Sequence, residues 1–298
     1  MKVLVTGVTG FIGGNLASTL AEDPDIELRL MARNPERIPA ALKDISEGVR
    51  GDTLDKDSLA SATEGIDTAY YLIHSMKSGS DYVERDREGA NNFRTACIES
   101  GVRRIIYLGG LGDKSSASPH LLSRIETGEI LSSEPDKIQT VWFRAGVIIG
   151  AGSISFQIIR HLVHKLPIMI TPRFVKTRTQ PISSQDVFNY LKHALYLQHN
   201  ENLIVDIGAE VQTFKEMILQ TAALMGKKRL IIPVPVFTPR LSSYWFVFIA
   251  PASYHVARAL IEGLKSETVV TNDNAALYFP EIHPMSFREA TGLALESG

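Results

Sequence analysis

Residues 1–16 read MKVLVTGVTGFIGGNL, and this stretch decides the fold. The apolar run Val3-Leu4-Val5 stops at a glycine and predicts a short buried strand. Gly7, Gly10 and Gly13 follow at three-residue spacing, and helical periodicity begins at Phe11. A glycine-rich turn between an N-terminal strand and a helix is typical of a dinucleotide-binding βαβ unit.

Each glycine of this turn has its own expected role. Gly7 permits the tight turn, Gly10 lets a diphosphate approach bare backbone, and Gly13 lets the helix pack closely on the strand. The helix begins with free N–H groups and a partial positive charge, which suit an anion. A glycine turn that binds nothing is the alternative, and the flanking strand and helix argue against it.

The bulk composition is that of an ordinary globular protein. Of the 298 residues, 44% are hydrophobic and 21% charged, and the net charge of −2 gives no reason to expect nucleic acid as a partner. Cys97 is the only cysteine, which excludes an internal disulfide. The sequence shows neither a signal peptide nor an apolar run of membrane-spanning length, so we expect a cytoplasmic protein without a membrane span.

Strands alternate with helices along the first half of the chain, which predicts an α/β fold with a doubly wound parallel sheet. The sequence predicts six strands up to residue 145, of which the fourth is Thr68–Ile73. Beyond them it predicts a small polar strand at Phe174–Thr179, a helix near Ser184–Leu197 and a buried strand at Leu203–Ile207. We therefore expect a nucleotide-binding domain at 1–150, a sheet completed within 184–235, and a small, mostly helical substrate-binding portion at 151–183 and 236–298.

Five motifs together resemble the short-chain dehydrogenase/reductase superfamily, namely TGVTGFIGGNL, GDTLD, AYYLIHS, GVRRIIYLGG and QPISSQDV. The closest match is its atypical, extended branch, which includes NmrA-like and sugar-nucleotide-epimerase-like proteins. The resemblance is firm over residues 1–150 and looser beyond. It implies a Rossmann domain that binds NAD(P)(H), followed by a substrate-binding portion.

The resemblance also implies which residues hold the cofactor. The pyrophosphate falls on the glycine loop, the adenine on the GDTLD loop, and the nicotinamide side on the end of the AYYLI strand. The positions concerned are Gly7, Thr9, Gly10, Phe11, Ile12, Gly13, Asp52, Thr53, Ile73 and His74.

The end of the second predicted strand bears on cofactor choice. NAD-specific sites place a carboxylate there, which binds the ribose 2′-OH and would repel a 2′-phosphate. This chain has Arg33 at that point and Arg37 shortly after it, with no acid between the strand and Arg33. Guanidinium groups suit a phosphate dianion, so we expect NADP(H) rather than NAD(H). Two solvated surface arginines are the alternative.

The usual catalytic set of the superfamily is Ser, Tyr and Lys, and this chain departs from it at all three positions. The YxxxK motif falls on His120 and Arg124, and the serine position falls on Gly109-Gly110. Histidine can act as a general acid near neutral pH, whereas arginine can bind ribose or lower a neighbour's pKa without titrating. His74 is a further catalytic candidate because it follows a strand at the ligand edge. For His120, a surface or helix-capping role remains the alternative.

Other constellations are weaker. His161 and His164 lie three residues apart on a predicted helix but have no third metal ligand nearby, so we expect no metal. The aromatic patch Tyr244–Phe248 suits a substrate pocket, a dimer surface or the core, and a homodimer stays open.

Three functional hypotheses follow. The first is an NADP(H)-dependent oxidoreductase acting on a carbonyl or double bond of a small apolar molecule. The second is an NAD(P)H sensor or assembly factor without turnover, which the loss of the Ser-Tyr-Lys set favours. The third is a sugar-nucleotide epimerase or dehydratase, which that same loss disfavours.

Overall fold

The computed structural model describes residues 1–74, 81–172, 176–234 and 266–298. Among these residues the strands, in chain order, are β1 (Lys2–Val5), β2 (Glu27–Ala32), β3 (Glu47–Arg50), β4 (Thr68–Tyr71), β5 (Arg104–Gly110), β6 (Gln139–Ala145), β7 (Ile148–Ile149), β8 (Ile168–Pro172), β9 (Arg178–Thr179), β10 (Ile182–Ser183), β11 (Leu203–Ile207), β12 (Gln212–Thr213) and β13 (Leu230–Val234).

The helices of the same ranges are α1 (Phe11–Ala21), α2 (Ala40–Lys43), α3 (Lys56–Thr63), α4 (Tyr82–Glu99), α5 (Pro119–Leu131), α6 (Ile154–Lys165), α7 (Ser184–His193), α8 (Phe214–Leu224), α9 (Asn274–Tyr278) and α10 (Phe287–Glu296). A short 3-10 turn, Pro35–Arg37, follows β2. No helix in the described part of the chain is long and apolar enough to cross a membrane.

Seven strands form one parallel sheet in the order β11-β6-β5-β4-β1-β2-β3. The order reverses between β1 and β4, and ligands of such sheets bind at this switch point, outside the carboxyl ends of the strands. Strand β11 pairs with β6 from Leu203 opposite Val141 to Ile207 opposite Ala145, so the chain returns to the sheet after residue 200. The predicted α/β, doubly wound class is confirmed.

Two apolar layers cover the two faces of the sheet. Helices α1 and α7 pack on one face through buried residues such as Leu16 and Leu191, and Tyr70 of β4 points into that layer. Helices α3, α4 and α5 cover the other face, where Tyr71, Phe93 and the inert thiol of Cys97 are buried. The adjacent tyrosines thus serve opposite layers of the core, as strand alternation requires.

A satellite core forms outside the sheet. Helices α6, α8 and α10 bury apolar side chains such as Phe156, Met217 and Phe287 against one another. The two-stranded parallel ribbon of β8 and β13 adds Met169 and Ile231 to this cluster. The described parts of 151–183 and 266–298 thus contain short strands as well as helices, and they pack with α8 and β13, which lie within 184–235.

Several predicted boundaries differ from the observed ones. Strand β4 ends at Tyr71, two residues before the predicted end, and α7 ends at His193 instead of Leu197. The predicted strand at 174–179 is observed only as Arg178–Thr179, and residues 173–175 lie outside the described residues. The aromatic patch Tyr244–Phe248 also lies outside them.

Candidate cofactor and active site

The turn after β1 has the geometry of a phosphate loop. Gly7 has φ +68°, in the left-handed region that favours glycine. A Cβ at Gly7 would overlap the backbone carbonyl of Leu72, and one at Gly13 would lie 2.7 Å from the Gly7 carbonyl carbon. Glycine at these two positions therefore permits the tight turn and the close approach of α1 to the loop.

The N-terminus of α1 is open towards the crevice. Gly10 is the capping residue, and no side chain of the described residues caps this end. A Cβ at Gly10 would have only the Gly7 carbonyl oxygen near it, at 3.2 Å. Thr9 and Gly10 are exposed, Phe11 and Ile12 half-buried, and Gly13 buried. The free first-turn N–H groups and the helix dipole suit a diphosphate, so the predicted residues fit this part of a dinucleotide.

Exposed arginines gather where β2 and β3 end. Arg33 follows β2 and Arg37 lies in the 3-10 turn, and no carboxylate of the described residues pairs with either. Arg50, the last residue of β3, is the Cα partner of Ala32 and was missed by the sequence reasoning. Gly48 and Arg50 share a face of β3, and a Cβ at Gly48 would lie 3.3 Å from Ile38, next to Arg37. Arg33, Arg37 and Arg50 thus all lie near the carboxyl ends of β2 and β3, a region that we call the arginine corner.

The GDTLD loop is fixed by its own hydrogen bonds and by α4. The half-buried Asp52 accepts a hydrogen bond from the Leu54 N–H at 3.1 Å, and its own N–H donates to Ser58 Oγ at 3.0 Å. The Thr53 carbonyl accepts from Asn92 Nδ2 at 3.0 Å, and Thr53 packs on Gly89. The loop therefore presents a rigid edge beside the arginine corner.

Two histidines meet at the other end of the crevice. His74 follows β4 and is exposed, whereas His120 is half-buried in the first turn of α5. Their ring centroids are 5.9 Å apart and the rings stand edge to face at 75°. Ile73 is half-buried between His74 and the core. The structure thus brings two of the three predicted catalytic residues together.

Arg124, the third predicted catalytic residue, is held against the end of β5. Its Nη2 donates a short hydrogen bond to the Leu108 carbonyl, and its Cζ lies 6.0 Å from the ring centroid of Tyr107. The Tyr107 hydroxyl donates to the Arg124 carbonyl at 2.9 Å. The guanidinium group is therefore fixed one helical turn from His120.

Packing explains why the superfamily's serine position is glycine in this chain. A Cβ at Gly110 would lie 2.5 Å from Leu121 Cδ1 and 3.7 Å from Arg124, and one at Gly109 would overlap the indole of Trp142. A serine at either position would have to displace these side chains. Of the nearby hydroxyl groups, that of Ser118 accepts from the Leu121 N–H as the cap of α5.

Burial, and then the positive charge of Arg124, lowers the pKa of His120 from 6.5 to about 4. The imidazole is consequently neutral at pH 7. The sequence-based expectation of an imidazolium acid near neutral pH therefore needs refinement. A neutral ring still offers one N–H as a hydrogen-bond donor to a substrate oxygen and one nitrogen as an acceptor.

We expect this depressed pKa to weaken the fold in acid. Below pH 6.5 His120 becomes protonated in the unfolded chain, whereas in the folded chain it becomes protonated only below about pH 4. Between these values the group should lower the free energy of unfolding by about 2 to 3 kcal/mol. Denaturant titrations at about pH 7 and about pH 4.5 measure this effect. The free energy of unfolding should fall less between the two pH values in His120→Asn than in wild type.

If stability falls equally in His120→Asn and wild type on acidification, the lowered pKa of His120 is contradicted.

At the far end of the crevice, β6 and β11 end in a buried ion pair. Arg144 and Asp206 are Cα partners, with Nε–Oδ1 at 2.5 Å and Nη2–Oδ2 at 2.9 Å. Asp206 also accepts from the N–H and the hydroxyl of Thr271, at 2.9 and 2.7 Å. The pair ties the segment that begins at Ser266 to the carboxyl edge of the sheet.

Comparison with known proteins agrees with this geometry. Residues 7–135 match the family model described as NAD(P)H-binding. A 3-beta-hydroxysteroid dehydrogenase of Mycolicibacterium neoaurum is 35% identical over 116 residues, which are 36% of this chain and 31% of that protein. A 2-alkyl-3-oxoalkanoate reductase of Stenotrophomonas maltophilia is 30% identical over 113 residues, 36% of this chain and 32% of that protein. The matched segment thus spans about a third of the length of these curated relatives.

Solved structures match the whole fold at low identity. The triphenylmethane reductase of Citrobacter sp. in complex with NADP(H) has a TM-score of 0.77 at 18% identity, covering 99% of this chain and 100% of that one. A nucleoside-diphosphate-sugar epimerase from Staphylococcus aureus has a TM-score of 0.76 at 16% identity, covering 98% and 100%. Residues 7–135 therefore resemble NAD(P)H-binding domains, and the chain shares its fold with the reductase and the epimerase.

Proposed function

We propose that the protein is an NADP(H)-dependent oxidoreductase that reduces a carbonyl group or double bond of a small apolar molecule. The observation that carries the proposal is the crevice itself. An uncapped helix N-terminus lies at one side of the switch point, and arginines without carboxylate partners among the described residues lie where β2 and β3 end. The first suits a pyrophosphate, and the second suits a 2′-phosphate.

The choice of NADP(H) over NAD(H) rests on charge. A ribose 2′-phosphate is a dianion, and Arg33, Arg37 and Arg50 offer it guanidinium groups at one corner. Nothing acidic stands at the end of β2 to bind a 2′-OH or repel a phosphate. Among proteins with this fold, the Citrobacter triphenylmethane reductase is known in complex with NADP(H).

Bound NADPH would supply the hydride, and the chain's own residues would orient the acceptor. His120, neutral at pH 7, can donate its ring N–H to a substrate oxygen and so stabilise negative charge that develops there. Arg124 adds a fixed positive charge one helical turn away. His74, in edge contact with His120, restricts the ring and lines the same end of the crevice.

The test of cofactor choice is a titration with NADPH and NADH that follows nicotinamide fluorescence. We expect wild-type protein to prefer NADPH. Arg33→Ala and Arg50→Ala should each weaken NADPH binding by about tenfold or more, because each removes a charge-assisted hydrogen bond, and should leave NADH binding nearly unchanged.

Arg103→Ala is the matched control, because Arg103 is exposed and pairs with Asp67 just before the amino-terminal ends of β5 and β4, away from the carboxyl ends that bind the ligand. Equal affinity for both nucleotides, or a loss of NADPH affinity in the control as well, would contradict the choice of NADP(H). If neither nucleotide binds, the proposed oxidoreductase function fails.

A nucleotide sensor without turnover is the second candidate, and the position of Arg124 favours it. Its guanidinium is already bound to the Leu108 carbonyl, which limits its use as a ligand for ribose. His120→Phe separates the two functions. An oxidoreductase should lose hydride transfer to a panel of carbonyl and enone compounds while NADPH binding is kept, whereas a sensor has no turnover to lose. Conversion of a nucleotide sugar would instead point to the epimerase alternative.

A further inference from the structure

A surface of the satellite core combines cations with protruding aliphatic side chains. Strands β8 and β13 pair in parallel, with Ile168 opposite Leu230. One face of this ribbon is buried through Met169 and Ile231, which are 1% and 7% exposed. The opposite face leaves Ile168, Leu230 and Ile232 exposed by 57%, 55% and 42%. We call these three side chains together with Lys165, Lys227, Lys228 and Arg229 the β8–β13 patch.

The cations of the patch lie at the end of the ribbon where both strands begin. Lys165 ends α6, and Lys227, Lys228 and Arg229 form the turn that leads into β13. No carboxylate of the described residues pairs with any of the four. The segments 157–172 and 225–234 contain no Asp or Glu at all. Among the described residues, no carboxylate therefore compensates the positive charge of the patch.

Contacts at the edge of the patch reflect this crowding of charge. Lys227 Nζ donates to His164 Nδ1 at 2.8 Å, and the ammonium charge of Lys227 lowers the pKa of His164. Arg229 Nε donates to the Val163 carbonyl at 2.6 Å, which satisfies a helix-end carbonyl, and no carboxylate in the described part of the chain neutralises the guanidinium charge. Part of this charge thus complements the ends of α6 and α8, and the rest faces outward.

We propose that the β8–β13 patch docks the protein on an anionic lipid surface. Side chains of a sheet stand out from its face, so the three aliphatic residues can enter the interfacial layer without a preformed pocket. The lysines and the arginine at the start of both strands then meet headgroup phosphates and carboxylates. The docking is peripheral, and it is independent of the proposed oxidoreductase function.

Two other occupants fit the patch less well. A second copy of the chain would bring four cations against four cations, and three aliphatic side chains expose far less area than the roughly 800 Å² per partner of a stable interface. A nucleic acid would meet the cations, but phosphate contacts give no role to three exposed aliphatic side chains.

Flotation with vesicles tests the proposal on the whole 298-residue chain. Wild type should float with phosphatidylcholine vesicles that contain phosphatidylserine, should not float with pure phosphatidylcholine, and should be released by high salt. Lys227→Glu/Lys228→Glu should weaken binding by at least about 25-fold, since each basic residue near an anionic surface contributes about fivefold. Ile168→Ser/Leu230→Ser should also weaken it, by a smaller factor.

Matched controls are Lys56→Glu/Lys137→Glu, at exposed lysines elsewhere, and Leu277→Ser, at a residue 66% exposed on α9. Both controls should bind vesicles like wild type. The proposal is overturned if anionic vesicles do not bind, if they bind the patch variants like wild type, or if a DNA duplex binds the patch in their place. Nucleotide binding by the patch variants, followed by fluorescence, is expected to be normal and tests the crevice separately.

Discussion

Asp206→Leu is expected to lower the free energy of unfolding by about 3 to 5 kcal/mol, because it leaves a guanidinium group uncompensated in a largely buried place. Asp206 is fully buried, and the side chain of Arg144 is 19% exposed. The carboxylate accepts two hydrogen bonds from Arg144 and two from Thr271. Its loss therefore removes a charge partner and four acceptor contacts at once.

A double-mutant cycle separates the ion pair from simple packing. Arg144→Met alone should also lower the free energy of unfolding strongly, since it leaves the buried carboxylate of Asp206 without its charge partner. Arg144→Met/Asp206→Leu should lose clearly less than the sum of the two single losses, because both charges are removed together. Urea unfolding of the four proteins measures the coupling. Additive losses would show that the pair does not act as a unit.

The Arg144–Asp206 pair also shows what a sequence pattern leaves out. The two residues are 62 positions apart and become neighbours only because β11 adds to the edge of β6 in one register. The strands themselves were predictable, since both are short apolar runs bounded by polar residues. Their pairing depends on how the intervening segments fold, and periodicity within one strand carries no information about it.

The nucleotide-binding half of the site was the more predictable one. The glycine loop follows from local rules, because tight turns, bare backbone and close packing each demand glycine at a fixed place. Arg50 was missed because its relevance depends on the pairing of β3 with β2, and an isolated arginine beside a glycine attracts no notice in the sequence. Because parallel strands end at a common edge, Arg50 at the end of β3 could have been grouped with Arg33 and Arg37 as a candidate for binding the 2′-phosphate.

The catalytic half could be placed but not characterised. Counting from the superfamily motif located His120 and Arg124 on one helical face. His74 was a candidate because it follows a strand at the ligand edge, and the structure places its ring against that of His120. The neutral state of His120 at pH 7 depends on its burial and on where Arg124 is held, and both are properties of the packed structure. The sequence-based expectation took the ordinary pKa of histidine as its starting point and so favoured the charged form.

Gly13→Ala is expected to damage both the fold and nucleotide binding. The new Cβ would overlap the Gly7 carbonyl oxygen and lie 2.7 Å from the Gly7 carbonyl carbon and 3.0 Å from the Val8 nitrogen. These are backbone atoms, so no side chain can move aside, and α1 must shift away from the loop. Overpacking of this kind costs about 1 to 3 kcal/mol or more of stability.

The same shift moves the N–H groups at the start of α1 that would bind the pyrophosphate. NADPH affinity should therefore fall by about 100-fold or more, because these contacts depend on positions fixed by this packing.

Gly292→Ala is the matched control. Gly292 lies inside α10 with no atom of the described residues within 4 Å of its would-be Cβ, so alanine should stabilise the helix by up to about 1 kcal/mol and leave NADPH binding unchanged. Urea unfolding and nicotinamide fluorescence measure the two effects in the same proteins. Wild-type stability and affinity in Gly13→Ala would mean that α1 does not rest on the Gly7 carbonyl, and the phosphate loop would lose its structural basis.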